Sequence, residues 1–375
     1  MPIVLNGTTG ITTPTYNGST TAEYLVPVTG FKNRIINGDM SIAQRGTSLT
    51  NPNGYTLDRW FVATGVASTV IQQSSNVPTG AGFSSSLFYN QGASTWTPTG
   101  GQWNSLAQSI EGFNTADLMW GTANAQTVTL SFWVRASLTG TYSVALNNAT
   151  TTDIGSATVG RSYVSTFTVS AADTWQQVSI TIAGDTSGTW LTTNGAGLSV
   201  VFSLGNASGY NTATTNAWQA GKFLQTSGSV SLATNANSTF YITGVQLEKG
   251  SNATSFDYLP YGTELALCQR YFQLAGGAAS GSFDGSTTII QITEKLLVTM
   301  RANPTAAIQP SGFAGFRSSA NDFNAASPAL SNFSSSTPTS FWTQVTGFTG
   351  GTSNAVVTGR NNNANNNFIA LSAEL

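Results

Sequence analysis

Histidine is absent from the 375 residues, and cysteine occurs once, at Cys268. Without histidine, Ser-His-Asp and Cys-His catalysis, imidazole proton shuttling and His-ligated zinc are excluded. A single thiol makes no intrachain disulfide and no thiolate metal cluster. Charge is also scarce. Lys, Arg, Asp and Glu make up 7% of the chain, with a net charge of −2, against about 25% charged residues in an ordinary soluble domain. A nucleic-acid partner needs a basic footprint, and none is present. No stretch approaches the roughly 18 apolar residues that cross a bilayer. The opening MPIVLNGTTG lacks the basic flank and apolar length of a signal peptide. The reading is no nucleic-acid partner and no membrane insertion.

Hydrophobic residues stand at 40%, an ordinary share, so uncharged polar residues replace the missing charge. Disorder needs low hydrophobicity with high net charge, and neither holds. Small polar residues and 39 glycines suit strands joined by tight turns. The length allows two to three domains, or one large all-β domain with extensions.

Between residues 31 and 262 the chain alternates. Val128, Leu130, Phe132 and Val134 point one way, with Thr129, Ser131 and Arg135 opposite. Tyr142, Val144 and Leu146 repeat this, as do Val178, Ile180 and Ile182, and Leu198, Val200, Phe202 and Leu204. Tyr241, Thr243, Val245 and Leu247 read as one face of a last strand. Such period-2 runs are half-buried antiparallel strands, and about eight of them make a jelly-roll sandwich. Thr115 to Trp120 reads as one helical turn. Thr263 to Cys268 reads as a short helix with Thr263 as N-cap and Glu264 in the first turn.

Residues 1–30 hold short apolar runs, Ile3 to Leu5 and Tyr24 to Val28, with Asn6-Gly7 and Asn17-Gly18 as hairpin signals. They form an extended anchor that needs a partner to order it. Residues 263–375 read as a smaller C-terminal β domain. Its strand-like runs are Tyr271 to Leu274, Ile289 to Ile292, Leu296 to Met300, Val345, Val356-Val357 and Phe368 to Leu371. Residues 311–340 show little period, and Asn361 to Asn367 favour a turn.

Carboxylates are the remaining acid/base groups. Asp173 and Asp185 flank one strand and Glu248 and Asp257 flank a loop; they are the candidates for a hydrolytic pair, and the turn Gly184 to Gly188 makes Asp185 structural. Asp39, Asp58, Arg34, Arg45 and Arg59 cluster near the start of the sandwich, as ion pairs or, at Asp39, as a calcium ligand needing further oxygens. Trp60 and Trp175 belong to the core. Trp96, Trp103 and Trp120 lie in polar, Gly-rich loops and are the candidate sugar-stacking residues. Cys268 reads as a buried, inert thiol.

The run Asn33 to Gly46, followed by Tyr55-Thr56-Leu57-Asp58-Arg59-Trp60, resembles the opening of the jelly-roll module of phage tail fibres and related virion proteins. Leu130 to Ala136, Gly184 to Trp190, Phe240 to Gly250 and Tyr261 to Phe272 extend the resemblance to about residues 1–275. It implies a homotrimeric virion protein on the exterior of a phage tail or capsid. Its body would be similar to carbohydrate-binding modules, with residues 1–30 joining it to other virion proteins. It also implies that Trp133, Trp190 and Trp218 are framework. Related modules hold calcium through an Asp of the last strand, where this chain has Gly244. The expected function is a non-catalytic tail fibre adsorbing to host surface polysaccharide, with residues 263–375 as its tip. The alternatives are a capsid-decorating or other virion structural protein without a receptor role and, behind that, a glycan depolymerase. No cofactor is expected beyond the calcium weighed at Asp39.

Overall fold

The computed structural model describes residues 5–6, 10–11, 31–148, 160–275, 280–283, 285, 288–308, 315–317, 322–323, 329–348, 356–360 and 369–375. The chain divides into two units, Met1–Lys32 and Asn33–Leu375. In the first, Leu5–Asn6 pairs antiparallel with Gly10–Ile11, Asn6 opposite Gly10. Three residues therefore separate the strands, one more than a two-residue Asn-Gly hairpin has. Asn17-Gly18 and Tyr24 to Val28 lie outside the described residues, as do residues 361–367.

The second unit is nearly all β. A seven-stranded sheet runs Trp218–Ala220, Arg161–Val169, Gly140–Asn147, Ala196–Ser203, Ser105–Glu111, Phe61–Ala63, Gly54–Tyr55. A six-stranded sheet runs Gln176–Ile182, Val128–Ala136, Thr239–Lys249, Ser86–Asn90, Val70–Ser74, Ser48–Thr50. Every ladder in both is antiparallel. Leu130, Phe132 and Val134 meet Val144, Leu146, Val200 and Phe202 between the sheets, around Trp60. The alternation read from the sequence thus builds an antiparallel sandwich of jelly-roll type.

The last strand departs from that reading. Phe240 and Ile242 enter the core, Tyr241 faces outward, and then Val245 and Leu247 enter. A bulge between Thr243 and Gln246 inserts the extra residue that shifts the phase. Gly244 sits in it at φ +61°, a left-handed conformation open to glycine at little cost.

The one α-helix among the described residues is Tyr261–Gln269. Its N-cap is Pro260, not Thr263; the Pro260 carbonyl accepts the N–H groups of Thr263 and Glu264. Cys268 is buried beside Ile36, Ile42, Ala196, Tyr271 and Leu375. Burial pushes its thiol well above the usual range, which makes it inert as read. The expected boundary at 262 falls inside this helix, and both expected domains belong to one unit. Beyond it, a second core around Phe283, Ile292, Phe341, Val345 and Leu371 sits among two further antiparallel sheets. One orders Phe272–Ala275, Ile369–Ser372, Thr305–Ile308. The other is seven-stranded and includes Ala329–Thr337 and Ser340–Thr346. Ala329–Thr337 is a strand where little period was legible. Leu296 to Met300 is not a strand.

Glu264 in the first helical turn accepts the Asn37 N–H. Burial, with Asp39 and Asp257 nearby, raises its carboxyl to about 7 despite that bond. A group raised in the folded state contributes stability that is complete below its ordinary value and is lost as pH rises through the folded value. The unfolding temperature is therefore expected to carry a contribution from Glu264 that falls between about pH 5 and pH 8. Glu264→Gln should be more favourable relative to the unaltered chain at pH 8 than at pH 5. Equal differences at both pH values would refute this.

Candidate functional site

The carboxylates weighed for hydrolysis fasten loops. Asp185 is buried and accepts Arg161 Nε at 2.7 Å and its terminal nitrogen at 2.8 Å, besides the Ser187 N–H. Glu248 accepts the Thr254 N–H at 2.8 Å, the Thr254 hydroxyl at 2.7 Å and the Gln246 amide at 2.8 Å. Asp257 accepts the Asn33 N–H, and Asp173 pairs with Arg135 at 3.2 Å. Asp39 accepts the N–H and hydroxyl of Ser41. No group of three or more Cys, Asp and Glu side chains placed to hold a metal ion gathers among the described residues.

Of the rest of the early cluster, Arg34 pairs with the exposed Asp117 at 2.8 Å, while Asp58, Arg45 and Arg59 form a buried network. Asp58 accepts Gln44 through both oxygens and lies 4.0 Å from Arg45. Arg45 and Arg59 both reach Glu374. This is the ion-pair reading of the cluster, with a partner some 300 residues away in the chain.

The tryptophans separate into groups. Trp60 is fully buried. Trp120, expected as a sugar-stacking residue, is 7% exposed. Its ring meets Trp190 at 4.8 Å and Trp218 at 5.2 Å, edge to face, and its Nε1–H donates to the Gln126 carbonyl. Its Gly-rich flanks belong to turns that fold the ring inward, so it is core. Trp190 and Trp218 are framework with it. Trp175, expected in the core, is half-buried on the outer face, against Tyr241 at 6.0 Å and donating to Asn76. It precedes the edge strand, where no second layer covers it.

Trp96 and Trp103 come together. Both are half-buried and both line one cleft of about 300 Å³ with Asn53, Ala63, Thr64, Gly65, Gly101 and Gln102. No lining residue is charged. Trp103 precedes the strand Ser105–Glu111 and stacks on Phe61 at 5.9 Å and 17°. The Lys222 ammonium lies 5.3 Å from the Trp103 ring centre and 5.5 Å from that of Tyr210. The Tyr210 hydroxyl donates to the Gly101 carbonyl at 2.6 Å, and Gln102 Oε1 accepts the Thr99 N–H at 2.8 Å. These bonds hold the loop that carries Trp103. Trp96 hangs from a second loop, its N–H donating to the Ala233 carbonyl at 2.7 Å.

Indole rings beside amide and hydroxyl groups in an uncharged cleft provide apolar surface with a few orienting hydrogen bonds. Sugar rings present matching chemistry, with C–H faces and a rim of hydroxyls. Asn53, Thr64, Gly65, Gln102 and the Phe61–Tyr210–Lys222 support were not read from the sequence. Each is an ordinary loop or strand residue until the fold gathers it.

No family model matches the chain, and no curated protein matches it. Solved structures with partial likeness include a putative sugar binding protein from Bacteroides thetaiotaomicron. It is 15% identical with a TM-score of 0.33, covering 58% of this chain and 100% of that one. A family 11 carbohydrate-binding module from Clostridium thermocellum is 10% identical with a TM-score of 0.27, covering 55% and 98%. The enzymatically active domain of tailspike protein 4 from bacteriophage CBA120 is 13% identical with a TM-score of 0.29, covering 58% of this chain and 21% of that one. At these TM-scores the functional reading rests on the cleft itself.

Proposed function

We propose that this chain is a non-catalytic glycan-binding protein, a homotrimeric phage tail fibre that adsorbs to host surface polysaccharide. The observation that carries the binding part is the meeting of Trp96 and Trp103 in one uncharged cleft. At about 300 Å³ the cleft lies at the small end of ligand sites and suits a short stretch of a glycan. Weak single sites serve a fibre, because linked copies gain avidity. Its low charge suits a virion exterior that avoids non-specific adhesion. The virion part, including attachment through residues 1–30, rests on the sequence resemblance. The engaged carboxylates of Asp185 and Glu248 favour binding over hydrolysis.

A bacterial surface glycan array tests this, with light scattering to give the mass. A trimer is expected at three times the chain mass; a monomer refutes that element. Trp96→Ala is expected to lower affinity for the best array glycan about tenfold, roughly 1.4 kcal/mol, with little change in unfolding temperature. Trp103→Ala should cost at least as much affinity and some stability, since Phe61 loses its stacking partner. Unchanged affinity in both variants would overturn the cleft as the site. A virion component without glycan binding would then be the better reading.

A further inference from the structure

We infer that Gly65 is the positioning residue that sets the depth of the cleft, by giving the Trp96 indole a bare Cα to lie against; this rests on the glycan-binding reading. A Cβ built on Gly65 would stand 2.6, 2.7 and 2.9 Å from three carbons of the six-membered ring of Trp96. Those separations are far inside the contact distance of about 3.5–4.0 Å between carbon atoms. Either a backbone wall or the ring must then move.

Both walls are held. Trp96 is tied to Ala233 through its own N–H, and two residues earlier the Ser94 N–H donates to the Ser68 hydroxyl at 3.2 Å. On the other side, Gly65 lies between Thr64 and Val66, both buried, and the Val66 N–H donates to the Thr64 hydroxyl. Thr64 in turn meets the Thr69 hydroxyl at 3.3 Å. The free motion is rotation of the Trp96 side chain. A side chain at 65 blocks one side, so the ring swings toward the cleft that both residues line. Any side chain at 65 therefore narrows the site that glycine leaves open. Gly65 does not adopt a positive φ, so backbone conformation does not require glycine there; the requirement comes from the ring.

The test uses the full chain labelled with 5-fluorotryptophan, which puts a ¹⁹F reporter on each of its nine indoles. The Trp96 signal is assigned by its loss in Trp96→Phe. In Gly65→Ala the Trp96 signal is expected to shift while those of Trp60 and Trp120 stay. Affinity for the best array glycan should fall tenfold or more. Gly65→Ser should match Gly65→Ala, because the first side-chain atom does the damage. In the Trp96→Phe background, whose smaller ring withdraws from residue 65, Gly65→Ala should change affinity less than twofold. An unmoved Trp96 signal in Gly65→Ala overturns the proposal whether or not any glycan binds. A moved signal with unchanged affinity overturns the claim that Gly65 sets binding. If the unaltered chain binds no array glycan, the proposed function fails, and the ¹⁹F signal still decides whether Gly65 positions Trp96.

Discussion

Glu374→Ala is expected to destabilise the chain by about 3–5 kcal/mol, the cost of stranding one member of a buried ion pair. The stranded member is Arg59, 1% exposed. Burial alone would pull its guanidinium down, and the Glu374 carboxylate holds it above the usual range. Arg59 also donates to the Ser109 carbonyl and lies 3.6 Å from the Tyr271 ring centre, but neither contact replaces a charge. Glu374 meets Arg45 as well, at 2.9 Å, so the variant also leaves Arg45 with Asp58 at 4.0 Å as its carboxylate partner. Urea unfolding followed by tryptophan emission measures the loss. The double variant Arg59→Met/Glu374→Leu should lose less than Glu374→Ala, because no unpaired Arg59 charge remains buried. A Glu374→Ala loss below about 1 kcal/mol, the ceiling usual for exposed pairs, would show that the network contributes little.

Gly244→Ala is the second large effect, expected at about 2–5 kcal/mol. The backbone share is about 1–2 kcal/mol, for placing an L side chain in the left-handed region. The steric share is about 1–3 kcal/mol for forcing an extra methyl into packed surroundings. The new Cβ would stand 2.5 Å from the Phe83 ring. That ring packs on Phe256 at 5.2 Å and Tyr258 at 5.6 Å, so its retreat would disturb both contacts. The bulge also presents Val245 to the first turn of the unit, where the Val245 N–H donates to Gly38 and its carbonyl accepts the Asn33 amide. Combining the change with Phe83→Ala should remove the steric share and leave the backbone one. Full additivity of the two substitutions would refute the clash.

Much of the sandwich was legible in advance. Val128 to Val134 and Leu198 to Leu204 alternate without interruption, and period 2 on a half-buried strand admits one arrangement of faces. The last strand departs from its alternating pattern because a bulge breaks the period, and Gly244 is its mark in the sequence. The candidate site was half legible. Trp96, Trp103 and Trp120 share the same texture of polar, Gly-rich flanks, so local sequence did not separate two cleft residues from a core residue. Trp175 failed in the opposite sense, because its neighbours resemble those of a core strand that in fact lies at a sheet edge.

The amino-acid sequence by itself determined the class of the fold and the chemistry it excludes. Alternation is a local property, and absent histidine and scarce charge hold in any conformation. Only the tertiary structure decided which aromatic rings are exposed, that Glu374 returns to Arg59, and that Gly65 lies behind Trp96. These depend on contacts between residues tens to hundreds of positions apart, set by strand order and loop course. No local pattern encodes which loop will face which.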